Sequence, residues 1–330
     1  MNKIEEENNL KDTYRIHISN TDQWKKYLEE NGYVVVTSLL SENECSEYLS
    51  KLWKAVEILS EGKVSFEDKS TWEKAKNYPF MLHGGMVQYI GHAQFQWDLR
   101  ERCSELFAKL WNVDKTKLAS SFDGFCLMNG TRKYLKKQIN SFLHSDQSPL
   151  KDKLWSYQGA MCLTDNNDDK SGGFVCVPKS NLCHQKFFTE NFNIKDKKFK
   201  EDWYLFSDDV KTKYKSILGN FTKINNKAGD FILWDSRTFH CNCLPTQEVL
   251  RACTYICMIP KSHIPDEIKI KRKKAFDEKR CSTHHPGDGF RVFPKHPRFG
   301  NTPDVYKKLI AQAHGKLILS DLQLSLAYID

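Results

Sequence analysis

From about residue 119 to residue 260 the chain runs as short hydrophobic stretches, each closed by Gly, Pro, Asn or Asp. That punctuation is the pattern of an all-β core. Ala228-Gly229-Asp230 reads as a turn feeding an apolar, aromatic-rich strand to Asp235, and Leu250 to Pro260 reads as another strand stopped by its proline. Helices are expected on either side. Ser41-Glu42-Asn43-Glu44 is a capping box that opens an apolar-periodic segment to about residue 60. Thr302-Pro303 places a cap and an N1 proline before Val305 to Ala313, with Gly315 past the end.

Within that core the residues richest in chemistry are His144-Ser145-Asp146, then His240, then Arg251. Residues i and i+2 of a strand face the same way, so His144 and Asp146 at a strand end can touch one metal ion. Ser141-Phe142-Leu143-His144, closed by Gln147-Ser148-Pro149, has that form. Alone, a His-x-Asp triplet is more often a surface hydrogen-bonded pair than a ligand pair. Two imidazoles and one carboxylate form the ligand set of a non-haem Fe(II) that keeps its remaining positions open. Arg251 falls 11 positions after His240, room for a turn and the start of a neighbouring strand. Its guanidinium suits a carboxylate in a two-pronged grip, although an arbitrary strand-edge arginine more often snorkels to water.

This set, in this order, resembles the phytanoyl-CoA dioxygenase-like branch of the Fe(II)/2-oxoglutarate-dependent oxygenases. The resemblance extends to Trp24–Val36 and Leu39–Cys45, and to Tyr157–Asp165 and Ser171–Asn181 as the two core strands between Asp146 and His240. It implies a mainly β (α+β) fold, a double-stranded β-helix (cupin-like jelly roll) with flanking N- and C-terminal helices on one outer face. It implies Fe(II) on His144, Asp146 and His240, with 2-oxoglutarate and O2 as cosubstrates. Arg251 is then the partner of the distal 2-oxoglutarate carboxylate, with Asn242 and Gln158 as further cosubstrate contacts. The implied reaction is oxidative decarboxylation to succinate and CO2 coupled to hydroxylation of an unactivated C–H bond. Halogenating relatives carry a small residue where Asp146 stands, so the carboxylate favours hydroxylation. Phe142, Gln147, Trp155, Trp234 and Arg237 are candidates to line a substrate pocket. The paired His284 and His285 fall in a tail that resembles one seen in some family members, and a structural role is expected for them.

All 330 residues are expected to form one domain: a helical and first-strand part (1–118), the jelly-roll core (119–260) and a basic, helical extension (261–330). The polar stretches Asn166 to Lys170 and Asn191 to Lys200 read as loops at the barrel mouth. Eleven scattered cysteines without a CxxC pair or secretory leader argue for reduced thiols in the cytoplasm, or the nucleus. Cys241 and Cys243 lack the second ligand pair that a structural zinc needs. No apolar run approaches the roughly twenty residues of a spanning helix, and Met1 to Lys11 reads as a frayed start. The net charge of +8 is concentrated at Lys261 to Arg280, densest at Lys271-Arg272-Lys273-Lys274, and at Arg132, Lys133, Lys136 and Lys137. Such runs suit an anionic cosubstrate, while a nucleic-acid partner is the less favoured reading. A small-molecule substrate is preferred, and nothing in the residues sets the oligomeric state.

Overall fold

The chain's opening helix and strand follow from its pattern. Helix α1 (Thr21–Asn31) buries Trp24 and Leu28 and stops at Gly32, whose φ of +82° allows the tight turn into β2 (Tyr33–Thr37). A Cβ at Gly32 would stand 2.6 Å from Thr238 Oγ1, and that hydroxyl donates to the Gly32 carbonyl at 2.7 Å. The computed structural model describes residues 13–73, 81–82, 85–129, 142–151, 153–168, 170–199, 202–245, 249–296 and 301–328. Met1 to Lys11, the Arg132–Lys137 cluster and the Pro297-Arg298 pair lie outside the described residues.

The fold is a double-stranded β-helix of two facing sheets. In the larger sheet, β1 (Arg15–His17) pairs with β2. Next come β12 (Phe231–Asp235), β8 (Tyr157–Cys162), β14 (Leu250–Pro260), β6 (Phe125–Asn129), β4 (Met86–Val87) and β3 (Met81–Leu82), while β5 (Leu118–Ser120) pairs with the far end of β14. The smaller sheet runs β10 (Tyr204–Leu205), β7 (His144–Ser145), β13 (His240–Cys243), β9 (Gly173–Cys176), β11 (Thr222–Ile224).

Strands of the large sheet are apolar on both faces because both are covered. Val34, Val36, Phe231 and Leu233 pack against helices, whereas Tyr33, Val35, Ile232 and Trp234 point into the space between the sheets. The covering helices include α2 (Glu42–Leu59) and α3 (Gln94–Trp111), which contribute Leu52, Trp53, Trp97 and Phe107. The Ser41–Glu44 capping box forms as the sequence predicts, with Ser41 N–H donating to Glu44 Oε2 at 2.7 Å. Helix α8 (Pro303–His314) ends before Gly315 and packs on α2.

Helices are not confined to one outer face. Helix α4 (Ser180–Asn191) starts inside the segment read as core strand and covers the back of the smaller sheet. Phe187 and Phe188 of α4, with Phe199, Tyr204, Phe206 and Phe239, make a separate aromatic core there. From Asn191 to Phe199 the chain packs through Phe192 and Phe199 on this aromatic core; Lys200 lies outside the described residues. Asn166 is likewise buried, its Nδ2 donating to the Ser171 carbonyl at 2.9 Å.

The basic run at 271–274 lies on α7 (Asp266–Asp277), but it is not a continuous charged face. Arg272 is buried and donates to the carbonyls of Pro286 and Ser120 at 3.0 and 2.9 Å. Among the described residues no helix is long and apolar enough to cross a membrane.

Candidate metal centre

The two histidines meet through strand register. His144 of β7 and His240 of β13 are direct cross-strand partners, which sets their ring centroids 4.3 Å apart. Asp146, just past the end of β7, returns to the same side. Its Oδ1 lies 3.3 Å from His144 Nε2 and its Oδ2 lies 3.2 Å from His240 Nε2. All three ligand atoms fall within 4.8 Å of one another.

Both rings are held by the same device. His144 Nδ1 is 2.9 Å from the Phe142 carbonyl, and His240 Nδ1 is 2.9 Å from the Thr238 carbonyl. A carbonyl only accepts, so each Nδ1 carries the proton and each Nε2 keeps its lone pair toward Asp146. Trp234 Nε1–H reaches across from the large sheet to donate to Asp146 Oδ2 at 3.4 Å. Behind the site, Ser145 points the opposite way and pairs with His184 of α4 at 3.0 Å. Burial alone would push the Asp146 carboxyl up, but the facing imidazoles of His284, His240 and His144 hold it well below the usual carboxylate range. Burial likewise depresses His144, and the Asp146 charge outweighs it, raising that imidazole. Two imidazole nitrogens and a carboxylate converging on one point form the donor set of an Fe(II) site.

The site opens on a cavity of about 350 Å³ between the sheets. Arg251, 2% exposed, stands behind its wall: Nη1 lies 3.5 Å from Cys126 Sγ and 3.7 Å from Met128 Sδ, and the guanidinium also hydrogen-bonds Tyr255, so that Met128 and Tyr255 come between it and the cavity they line. Among the described residues it has no carboxylate partner. A buried guanidinium is costly unless paired, and what surrounds this one is thiol, thioether and phenol groups. Asn242 and Gln158 line the same cavity. Asn242 Nδ2 donates to Tyr255 OH at 3.4 Å, while Asn242 Oδ1 and Gln158 Nε2 are buried without partners. These orphaned polar atoms fit a polar cosubstrate.

The candidates for a substrate pocket divide. Phe142 and Trp234 line the cavity. Gln147, Trp155 and Arg237 do not, each for a local reason. Gln147 is fully buried and braces its own loop, donating to the Lys151 and Lys153 carbonyls at 3.0 and 2.8 Å and accepting from Ser236 Oγ at 2.8 Å. Arg237 folds back on Asp235 at 2.6 Å. Trp155 lies against His285, centroids 4.2 Å apart, with Lys151 Nζ over its other side at 3.4 Å.

Sequence reasoning passed over several cavity residues: Asp123, Phe174, Tyr255 and, with a structural role expected of it, His284. Tyr255 carried a usable signal, since it is four residues after Arg251 on one strand and shares its face. Asp123 and His284 carried none; 160 positions separate them, and only the closed fold brings them to one cavity. Cys241 and Cys243 face away from the cavity that His240 and Asn242 line.

Comparison with known proteins agrees with this geometry. A model of the phytanoyl-CoA dioxygenase (PhyH) family matches residues 28–241. "Ava biosynthesis cluster protein O" from Aspergillus versicolor is 28% identical over 276 residues, spanning 80% of this chain and 85% of its own length. Among solved structures, EvdMO1 is 14% identical with a TM-score of 0.46 over 71% of this chain, which spans 48% of the EvdMO1 chain. SnoK, a non-heme alpha ketoglutarate dependent carbocyclase from nogalamycin biosynthesis, is 16% identical with a TM-score of 0.47 over 72% of this chain and 83% of its own.

Proposed function

We propose, from the premise that this chain belongs to the phytanoyl-CoA dioxygenase (PhyH) family and is an Fe(II)/2-oxoglutarate-dependent oxygenase, that it hydroxylates an unactivated C–H bond of a small molecule. The observation that carries this reading is the convergence of His144, Asp146 and His240 on a cavity that Met128 and Tyr255 also line, with Arg251 buried behind those two and without a carboxylate partner among the described residues. Cavity size supports a small molecule: about 350 Å³ sits in the range of roughly 300 to 1,000 Å³ usual for such ligands. The similarity to a protein named for a biosynthesis cluster points the same way.

His144, Asp146 and His240 would hold the iron, and bound iron supplies the oxidising chemistry drawn from O2 and 2-oxoglutarate. The remaining work belongs to the chain itself. Arg251 grips the distal carboxylate of 2-oxoglutarate, and Asn242 and Gln158 offer it their unpaired polar atoms. The Phe142 and Thr238 carbonyls keep both Nε2 atoms unprotonated, while Trp234 fixes the carboxylate. Phe142, Phe174 and Trp234 wall the space against bulk water. Retention of Asp146 as a third ligand favours hydroxylation over halogenation. The chain works as one domain, since residues from the early strands and from the 282–285 segment line one cavity.

Oxygen-free reconstitution with Fe(II) and 2-oxoglutarate, followed by a metabolite screen for substrate-stimulated succinate formation, tests the proposal. A hydroxylated product formed in step with succinate is the expected result. A chain that binds Fe(II) and 2-oxoglutarate but yields a desaturated or cyclised product would overturn the hydroxylation.

A further inference from the structure

The cavity has two ends, and strand register separates them. Arg251 pairs with Met128, and Thr254 with Phe125, along β14 and β6. Asp123 precedes the first residue of β6, at the opposite end of that strand from Met128, the cross-strand partner of Arg251. It therefore stands far from the end that receives 2-oxoglutarate. The segment carrying His284 lies beside it, because Ser282 N–H donates to the Phe122 carbonyl at 3.1 Å and Ser282 Oγ accepts from Phe122 N–H at 3.2 Å.

Asp123 is 3% exposed and lines the cavity. Its only hydrogen bond among the described residues is from the Gly124 backbone N–H. Arg100 lies behind it, but its Nη1 and Nη2 donate to the Gly91 and Asp123 carbonyls at 2.6 and 2.9 Å, not to the carboxyl. Burial, opposed by Arg100 and reinforced by Asp146, pushes the Asp123 carboxyl up to about 8. No Lys or Arg is among the described residues lining the cavity, and the walls near the iron ligands are Phe142, Phe174 and Trp234. On its cavity side this buried carboxyl, which the metal does not use, faces aromatic rings and no Lys or Arg among the described lining residues. Aromatic faces attract cations as well.

We propose that the end of the cavity away from Arg251 binds a small molecule carrying a protonated amine, with Asp123 as its counter-ion beside the iron. This rests on the oxygenase reading and adds the substrate's chemical class to it. A carboxylate or phosphate in that position would face two carboxyl groups, so anionic substrates are disfavoured there.

The test uses the full chain loaded with Fe(II) and 2-oxoglutarate under oxygen-free conditions, with hexylamine and 1-hexanol as paired probes. Binding is read by quenching of tryptophan fluorescence, to which Trp234 contributes from the cavity wall. Hexylamine should bind about tenfold or more tightly than 1-hexanol, as a charge-assisted pair requires. D123N should abolish that preference while iron content and the visible absorption of the Fe(II)·2-oxoglutarate complex stay unchanged. Equal affinity for the two probes in the wild-type chain, including no measurable binding of either, overturns the proposal. So does an amine preference that survives in D123N, or in D123S if the asparagine variant melts early. Failure of the iron and 2-oxoglutarate absorption to appear would instead sink the oxygenase reading, and the probe comparison would still decide the amine site.

Discussion

The two sheets contribute unequally to the site. The small sheet carries both histidine ligands on strands of two and four residues, β7 and β13. The large sheet carries Gln158, Trp234 and Arg251 on strands of five to eleven residues that are apolar on both faces. Short polar strands cannot hold themselves in place, and the small sheet is backed by its own aromatic core around Phe187 and Phe188. What the contrast teaches is a division of labour. The small sheet sets the geometry of the three converging side chains through register and carbonyl-held imidazoles; the large sheet carries Arg251, the proposed anion grip, and one strut, Trp234, to the Asp146 carboxylate.

Five substitutions, at four residues, probe that division. Asp146→Ala removes the ligand that joins the two histidines, so iron content should fall and succinate formation should become undetectable; wild-type iron content in the variant would break the metal assignment. Arg251→Ala acts on the other sheet. Losing a charge-assisted pair costs on the order of 2 to 4 kcal/mol, so the 2-oxoglutarate KM should rise roughly 30- to 900-fold while iron affinity is unchanged. Arg251→Lys should rescue it only in part, because a point charge does not reproduce the two-pronged grip. Equal loss of iron and 2-oxoglutarate affinity would show that the sheets do not act separately.

Trp234→Phe tests the strut between them. It keeps a ring against Phe174 but deletes the Nε1–H donor to Asp146, and iron affinity measured by competition with a chelator should drop roughly 10- to 100-fold. Ser145→Ala is the mildest. It removes the bond to His184, should cost about 1 kcal/mol and should lower the melting temperature by about 2 °C. Iron affinity should stay as it is; a marked loss would mean that the backing of β7 also tunes the ligands.

Much of the fold was legible because its signals are local. The Ser41–Glu44 capping box, the Gly32 turn and the proline that closes β14 depend on a few adjacent residues, and each appears where the pattern places it. Helix α4 was misread as an extension of a core strand, because Val177-Pro178-Lys179 reads as strand until Lys179 takes a positive φ of 64° and starts the helix. At the site, Phe142 and Trp234 reach the cavity, but Gln147, Trp155 and Arg237 were chosen for nearness in sequence to the ligands. Nearness does not say which way a side chain points. Gln147 follows Asp146 directly and turns outward to serve the loop at Lys151 and Lys153.

By itself the sequence determined the ligand types, their order and a same-face spacing for His144 and Asp146, because strand periodicity is a property of consecutive residues. It determined that an arginine follows on a later strand. Only the tertiary structure decided that His240 lies directly opposite His144, that Trp234 reaches across to Asp146, and that Asp123 and His284 share the cavity. Those relations depend on register and closure between segments tens to hundreds of residues apart. No local pattern encodes them; they follow from burying both faces of the large sheet at once.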